Sequence, residues 1–479
     1  MENKLPTLDP IVNLAKRRGI FYNTAELYGG ANGLFDRGPL GVEMVMRIKQ
    51  LWWKRFVHRR DDVVGLDAAI ITPAVVLQAS GHTENFTDPL IECLNCHIRL
   101  RADHFLEEES DEVFSIRWRD EAMRIRKIGE KRAEEEAHSA RMKLNDEQVL
   151  TCPSCGESHF TESRSFNMMF KTQLGAVEGA GAEAYLRPET AQGIFTNYKN
   201  ILDSYHKKLP FGVAQIGKAF RNEITTGNSI FRIRELEQAE IEYFVKPGED
   251  EAFFEHWKGE WYAFLTEDIG LKPEMLREYE HPKEKLSHYS KRTMDYEYAF
   301  PFGWGELTGL ANRTDFDLRQ HMEASSRDLT YFEEESRERF LPFTIEPTLG
   351  IDRTLLAVLC DAYREYPKGR DGNGTEMETV LHLPKQLAPV QVAVLPLMKK
   401  DGLGDKAREV AGMLRQHTVT VYDETGAIGK RYRRQDEIGT PACVTVDYQT
   451  LEDGTVTVRD RDTMEQRRVK IEELPSLCK

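Results

Sequence analysis

The sequence predicts a chain of more than one domain: an α+β core containing an antiparallel hairpin, a cysteine-knuckle insertion within that core, and a small C-terminal α/β domain. Three observations carry this. A strand-loop-strand pattern runs from Phe211 to Tyr243, two CxxC pairs stand at 93–96 and 152–155, and strand and helix alternate beyond Pro389. With 479 residues, 40% of them hydrophobic and 10% aromatic, the chain is long enough for two or three ordinary globular domains.

Residues 1–92 form the first part of the core. An amphipathic helix follows Pro39-Leu40-Gly41, with Val45, Ile48, Trp52 and Phe56 at spacings of three and four, and a strand-like run from Val63 to Thr72 ends at Pro73. Alone, these are a plain core helix and a strand stopped by a proline. His82 reads as a structural histidine. Residues 93–158 are an insertion. Each of its two knuckles aims two thiolates at one point, so Cys93, Cys96, Cys152 and Cys155 together offer the four soft ligands of a tetrahedral zinc. Redox chemistry is the competing reading of a CxxC, but neither pair lies in a βαβ pattern. The charged stretch between them, Glu107 to Gln148, reads as a solvated helix pair or a partly mobile arm.

Residues 159–385 return to apolar strands and helices, and their hairpin is the most informative element. Its first arm, Phe211 to Arg221, carries Val213, Ile216 and Phe220; a loop from Ile224 to Phe231 follows, longer than the tight two-residue hairpins. From Arg232 onward, alternation places Arg232, Arg234, Leu236, Gln238 and Glu240 on one side. Charged hairpins are mostly solvated surface, but here the order of residues is particular. Arg221 and Arg232 stand at the two ends of the loop, where guanidinium forks hold phosphate oxygens, and Glu240 lies roughly 13 Å beyond Leu236 at about 3.3 Å per residue. That spacing suits a substrate with an anion in its middle, a flat group at one end and a cation at the other.

Residues 386–479 change pattern: a buried strand at Val390 to Leu395, a helix around Lys406 to Gln416, a strand at Val419 to Tyr422 and a helix from Gly429. This predicts a small domain with a mixed or parallel sheet. Lys430, Arg431, Arg433 and Arg434 surround Tyr432 in a basic cluster that reads either as a solvated helix start or as a nucleic-acid contact. The net charge of −15 disfavours nucleic acid on average, so such a partner needs a local patch of this kind. Seven cysteines, an odd number, fit a reducing compartment with a metal site better than a disulfide framework. No run of eighteen apolar residues and no signal-peptide core appear, so a soluble, cytoplasmic chain with no membrane partner is expected.

FRNE, a loop, then FRIREL at 220–236 resembles motif 2 of the class II aminoacyl-tRNA synthetases, and the continuation EQAEIEYF resembles the glycyl-tRNA synthetases in particular. IVNLAKRRGIFYNTAELYGG, DDVVGLDAAIITPAVVLQASGH, FNMMFKT and YLRPETAQGIF are similar to the same family; the helix and strand before Pro73 resemble motif 1, and TIEPTLGIDRTLLAVL resembles motif 3. The resemblance covers nearly the whole chain. It implies an α+β catalytic core with an antiparallel sheet flanked by helices, a C-terminal α/β anticodon-binding domain, and a homodimer through motif 1. It also implies activation of glycine by ATP with Mg²⁺ and transfer of the glycyl group to the 3′ end of tRNA(Gly).

Site residues follow by matching motif. For ATP the resemblance implies Arg221 on the α-phosphate, Asn222 and Glu223 beside it with Glu223 at the adenine amino group, Phe231, Arg232, Arg234 and Leu236, then Glu306 and Leu307, and Gly350, Asp352 and Arg353 with Arg353 on the γ-phosphate. Arg221, Arg353 and Glu306 are the catalytic set, Glu306 being suited to a magnesium ion. The family carries phenylalanine against adenine where this chain has Leu236, and relatives carry proline where it has Thr226, a change expected to loosen the loop. For glycine the matches are Glu189, Glu240 and Glu346 on the ammonium, with Leu236, Gln238 and Thr348 nearby; Arg313 and Arg101 either hold the carboxylate or balance the acids.

Overall fold

A computed structural model of the chain describes residues 7–102, 141–144, 147–175, 182–370, 372 and 376–477. Seven strands make the central sheet: β1 (Val63–Gly65), β2 (Phe211–Phe220), β3 (Glu235–Val245), β4 (Leu276–Glu280), β5 (Arg292–Phe300), β6 (Gly303–Thr314) and β7 (Phe343–Gly350). They lie in the order β4-β5-β6-β7-β3-β2-β1. Every neighbouring pair is antiparallel except β1 with β2 at the edge.

Period-two alternation explains why this sheet has one greasy and one polar face. Ala239, Ile241 and Tyr243 of β3, Met294, Tyr296 and Tyr298 of β5, and Ile345 and Leu349 of β7 all enter one buried cluster. The residues between them, Gln238, Glu240, Thr293, Asp295, Glu346 and Thr348, face the other way and line a cleft. Helices Pro39–Trp53, Asp250–Ala263 and Ile351–Ala362 close the apolar face. The first starts with proline at its first turn and buries Val45, Ile48 and Trp52; Phe56, just past it, meets Trp257, Trp261 and Phe264 at centroid distances of 5.8, 4.9 and 5.2 Å. Burial of each such ring contributes about 2–3 kcal/mol.

Two expected elements differ. The run from Val63 to Thr72 is two strands: β1 in the central sheet, and Ile71–Pro73 at the edge of a separate sheet beside Ala182–Leu186. Between them the chain turns away from β2, and Ala68 gives its carbonyl to the Arg187 guanidinium at 2.8 Å. The second hairpin arm starts at Glu235 and not at Arg232, because Arg232 and Arg234 are taken up by the loop: Gly227 bridges Arg232, and Arg221 N–H donates to the Arg234 carbonyl at 2.9 Å.

Beyond the core, strands Thr420–Tyr422, Val392–Pro396, Ala442–Val446, Thr455–Asp460 and Gln466–Lys470 form a mixed sheet, parallel across its first three members and antiparallel across the rest. Most of the charged stretch from Glu107 to Gln148 lies outside the described residues; its described end is not helical, since Arg141–Leu144 pairs antiparallel with Glu147–Leu150. No helix among the described residues is long and apolar enough to cross a membrane.

Candidate active site

The polar face of the sheet supplies the floor of the cleft. Across it, Asp295 of β5, Gly309 of β6, Thr348 of β7 and Glu240 of β3 stand in one cross-strand row, with Thr293, Ala311 and Glu346 in the next. Gly309 and Ala311 leave a depression between the acids. A Cβ at Gly309 would meet only Asp295 Oδ1, at 3.6 Å, so that position opens onto the cleft.

At one end the acids converge. Thr348 Oγ1 donates to Glu240 Oε1 at 3.0 Å, Thr190 Oγ1 donates to the other oxygen of Glu240, and Gln192 donates to Glu189 at 3.1 Å. Arg313 lies completely buried beneath them, paired with Glu346, with Asp317 at 2.8 Å and with Glu189 at 3.7 Å. Its three hydrogen bonds all go to carboxylates, so in this structure Arg313 is a counter-charge to the acids and does not stand on the cleft wall. Burial would raise the Glu189 pKa, but His82, 3.3 Å away, and Arg313 hold it well below the usual carboxylate range. Burial and the Glu189 charge raise Glu240. Glu346 is pushed up to about 8 by burial and by its acidic neighbours, against the pull of Arg313.

At the other end three arginines line the wall, Arg221, Arg232 and Arg353. Arg221 Nε donates to the Pro188 carbonyl at 3.0 Å and its guanidinium lies 5.5 Å from the Phe86 ring. Arg353, in the first turn of its helix, donates to the Phe231 carbonyl at 3.1 Å, stacks 4.4 Å over the Phe231 ring and pairs with Glu306 at 2.8 Å. Phe231 is wedged in turn against Phe300 and Phe302, at 5.2 and 5.0 Å. Glu306, Leu236, Gly350 and Asp352 complete this end. Two buried acceptors there, Glu223 Oε2 and Gln238 Oε1, have no hydrogen-bond partner among the described residues. Unpartnered buried acceptors are costly and suit a ligand that brings donors.

Several expected site residues do other work. Arg234 is a strut: it donates to the carbonyls of Asn32 and Glu223 at 2.5 and 3.0 Å. Asn222 uses its N–H on the Met168 carbonyl at 2.7 Å, and Leu307 is buried in the core beneath the sheet. Arg101 pairs with Asp88 at 3.0 Å; neither lines the cleft, though both are near enough to act on the charge of Arg232. Asp352 reaches the cleft edge, but Arg37 at 2.7 Å and Glu237 N–H at 3.0 Å occupy its oxygens. Thr226 does not loosen the loop. It is buried, donates to Asn32 Oδ1 at 2.9 Å and packs where a Cβ on Gly33, a residue at φ +72, would lie 2.3 Å from its Cγ2.

Sequence reasoning missed the wall made by β5 and the segment joining it to β4: His281, Ser287, Tyr289, Thr293 and Asp295 all line the cleft. His281 Nε2 and Asp295 Oδ2 are 2.7 Å apart, and burial pushes Asp295 up to about 6 despite that bond. The signal was present, since Thr293 and Asp295 alternate with the buried Met294, Tyr296 and Tyr298.

The four knuckle sulfurs lie within 4.8 Å of one another, with Cys93 to Cys155 and Cys96 to Cys152 both at 3.6 Å. A tetrahedral ion with metal–sulfur bonds of about 2.3 Å needs sulfurs about 3.8 Å apart, so the cluster fits one. The turns match as well: His97 N–H closes onto the Cys93 carbonyl and Gly156 N–H onto that of Cys152, both at 2.9 Å. In the C-terminal basic cluster Lys430 and Arg433 are exposed, and Arg434 pairs with Asp423 at 2.5 Å. Arg431 is a correction. It is buried, and its guanidinium caps the Pro396 and Asp423 carbonyls at 2.5 and 3.3 Å, which removes it from any surface patch.

Comparison with known proteins agrees with this geometry. Residues 170–362 match the family described as tRNA synthetase class II core domain (G, H, P, S and T), and residues 391–479 match the anticodon binding domain. A glycine–tRNA ligase of Cutibacterium acnes is 50% identical over 477 residues, covering 98% of this chain and 95% of the relative. Those of Corynebacterium glutamicum and Clostridium tetani are 51% and 50% identical, each over 98% of this chain and 96% and 97% of their own lengths. With a class II core whose cleft pairs an arginine wall with an acidic end, and identity of this level along its whole length, the chain belongs to the glycine–tRNA ligase family of class II tRNA synthetases.

Proposed function

We propose that the chain activates glycine with ATP and transfers the glycyl group to the 3′ end of tRNA(Gly). The single observation that carries this is the polarity of one cleft, with three arginines at one end and Glu189, Glu240 and Glu346 around a floor of Gly309 and Ala311 at the other. In the first step a glycine carboxylate oxygen attacks the α-phosphorus and pyrophosphate leaves. The carboxylate is already ionised at neutral pH, so positioning and charge stabilisation suffice. Arg221 and Arg232 hold the reacting phosphate, Arg353 the leaving one, and Glu223 accepts from the adenine amino group. Leu236 gives adenine an apolar contact, while Arg353, held flat by Phe231, offers a planar cation to its face. In the second step a ribose hydroxyl of the tRNA attacks the glycyl carbonyl and AMP leaves.

Class II synthetases use ATP with Mg²⁺; the half-exposed Glu306 carboxylate opens onto the cleft and would hold that ion, which would neutralise phosphate charge. The acids select an ammonium, and exclusion by Thr348 and the Glu240 and Glu346 side chains selects the smallest amino acid, since rejecting one methyl by lost attraction is worth only about 1–3 kcal/mol. Lys430, Arg433 and Arg434 meet tRNA phosphates. A homodimer joins through the motif 1 helix, which leaves Val42 and Met46 exposed. Reduced cysteines fit a cytoplasmic location.

ATP–pyrophosphate exchange across a panel of amino acids tests the reading: exchange with glycine alone is expected, and exchange with alanine or proline, or none, overturns it. The cysteine cluster is a structural zinc site in this reading. Purified protein is expected to carry about one zinc per chain by elemental analysis. Cys93→Ser should lose most of it, and unchanged metal content would remove Cys93 from the ligand set.

A further inference from the structure

Glu242, the next residue of β3 on the same face as Glu240, has no part in the chemistry above and is costly to bury. Its side chain is fully buried, and neither carboxyl oxygen has a hydrogen-bond partner among the described residues. One oxygen each of Glu240, Glu242 and Glu346 lie within 4.8 Å of one another.

The charges that face this group are few and already committed. Glu240 comes from its own strand, Glu346 from β7 and Arg313 from β6; Asp317 and His321 come from the helix Phe316–Ser325, and Glu189 from the segment ahead of Ala191–Tyr205. Arg313 spends Nε and Nη2 on Asp317 and Nη1 on Glu346, while the Tyr289 ring covers its face at 3.8 Å. His82 sits on Glu189, and Arg187, near enough to act on Glu240, spends Nε and Nη1 on the Lys218 and Ala68 carbonyls. His321 bonds to Gln192 at 2.8 Å, and burial lowers its pKa toward the neutral form. Five carboxyl groups therefore surround one buried guanidinium, whose hydrogen bonds go to Asp317 and Glu346 and none to Glu242. An ionised Glu242 would be a buried anion without a donor, which proteins avoid by protonation. As a neutral acid it becomes a hydrogen-bond donor whose reachable acceptors are Glu346 and Glu240.

Building on the glycine reading of this cleft, we propose that Glu242 is an uncharged positioning acid: before substrate binds, Glu346 also carries a proton, and the substrate ammonium expels it, so that glycine binds with release of one proton. The balance is simple. The Glu346 O–H bond breaks, its proton leaves to solvent through the cleft, the new carboxylate pairs with the ammonium, and Glu242 keeps its own proton and donates a hydrogen bond to that carboxylate. Burial raises both acids in the substrate-free protein, which agrees with the order of proton loss.

Glycine titration by calorimetry at pH 7, in two buffers of different ionisation enthalpy, is expected to report release of about one proton per glycine bound. The glycine Kd should fall about tenfold from pH 6 to pH 7 and level off above the Glu346 pKa, because only below it must a proton be expelled. Neither group of glycine titrates over that range. Glu242→Gln, still a neutral donor, should keep both the release and the pH profile. Glu242→Leu removes the donor and should move the bend by about one pH unit to the alkaline side, with about tenfold weaker binding at pH 7. Wild-type protein that exchanges pyrophosphate with glycine but shows a flat pH profile and no buffer dependence overturns the proposal. So does Glu242→Gln behaving like Glu242→Leu. If Glu242→Leu does not fold, the wild-type and Gln arms decide alone. Absence of glycine-dependent exchange in the wild type would instead overturn the substrate reading.

Discussion

Arg313→Met is expected to destabilise the catalytic core by about 3–5 kcal/mol in urea unfolding at pH 7, because it leaves buried carboxylates without a counter-charge. The arginine is fully buried, and Asp317, Glu346 and Glu189 all draw on it. Methionine restores the volume of the stem but none of the charge. Glu189, which Arg313 helps to hold low, then responds by holding a proton, so its folded-state pKa rises above the unfolded one, and Glu346, already high, rises further. Carboxyls shifted in that direction favour the fold at low pH and oppose it as pH rises. The variant should therefore gain stability from pH 8 toward pH 5, where a fold held by an acid-labile ion pair would lose it, and its deficit relative to wild type should shrink over that range. Arg313→Lys is expected to recover only part of the loss, since an ammonium cannot reach Asp317 with two nitrogens and Glu346 with a third. An unchanged urea midpoint for Arg313→Met would show that the acids are compensated elsewhere.

Much of this site was legible because its elements announce themselves by period. The alternation of Gln238 and Glu240 against Ala239 and Ile241 placed two cleft residues on one face, and the glycine before Ile351 placed Arg353 in a helix first turn. The cysteine pairs were legible from spacing alone. What stayed hidden depends on contacts between distant segments. Arg234 has the same alternation as Leu236, but the strand had not yet begun there, and Asn32, some two hundred residues earlier, takes the guanidinium. Arg431 sits in a run of basic residues at helical spacing, and only the fold shows that its turn of the helix points inward at the Pro396 carbonyl. Thr226 looked like a missing proline and is a tie to Asn32. The network in which Arg37 and Lys49 hold Glu237, with Arg37 also holding Asp352, joins four segments and leaves no pattern in any one of them.

Arg221→Ala is expected to lower kcat for glycine-dependent pyrophosphate exchange by about 10²–10³-fold with the fold intact, the largest effect on rate of any single change at the phosphate end. The two supports of this side chain, the Pro188 carbonyl and the Phe86 ring, fix its direction without neutralising it. Arg353, in contrast, is paired with Glu306 and must exchange that partner for phosphate, and Arg232 has its pKa lowered by burial and by the neighbouring Arg353 charge. In the proposed reading Arg221 is thus the cation already aimed at the position where charge builds as the carboxylate attacks. A group that acts only as the transition state forms should lower kcat and kcat/KM together. Arg221→Lys keeps the charge but not the fork, and should recover about tenfold at most. Because little besides one carbonyl and one ring holds the arginine, the urea midpoint of Arg221→Ala should stay within about 1 kcal/mol of wild type. A rise in the KM for ATP at unchanged kcat would mean that Arg221 binds nucleotide uniformly, and the charge that drives adenylate formation would then have to come from Arg232 and Arg353.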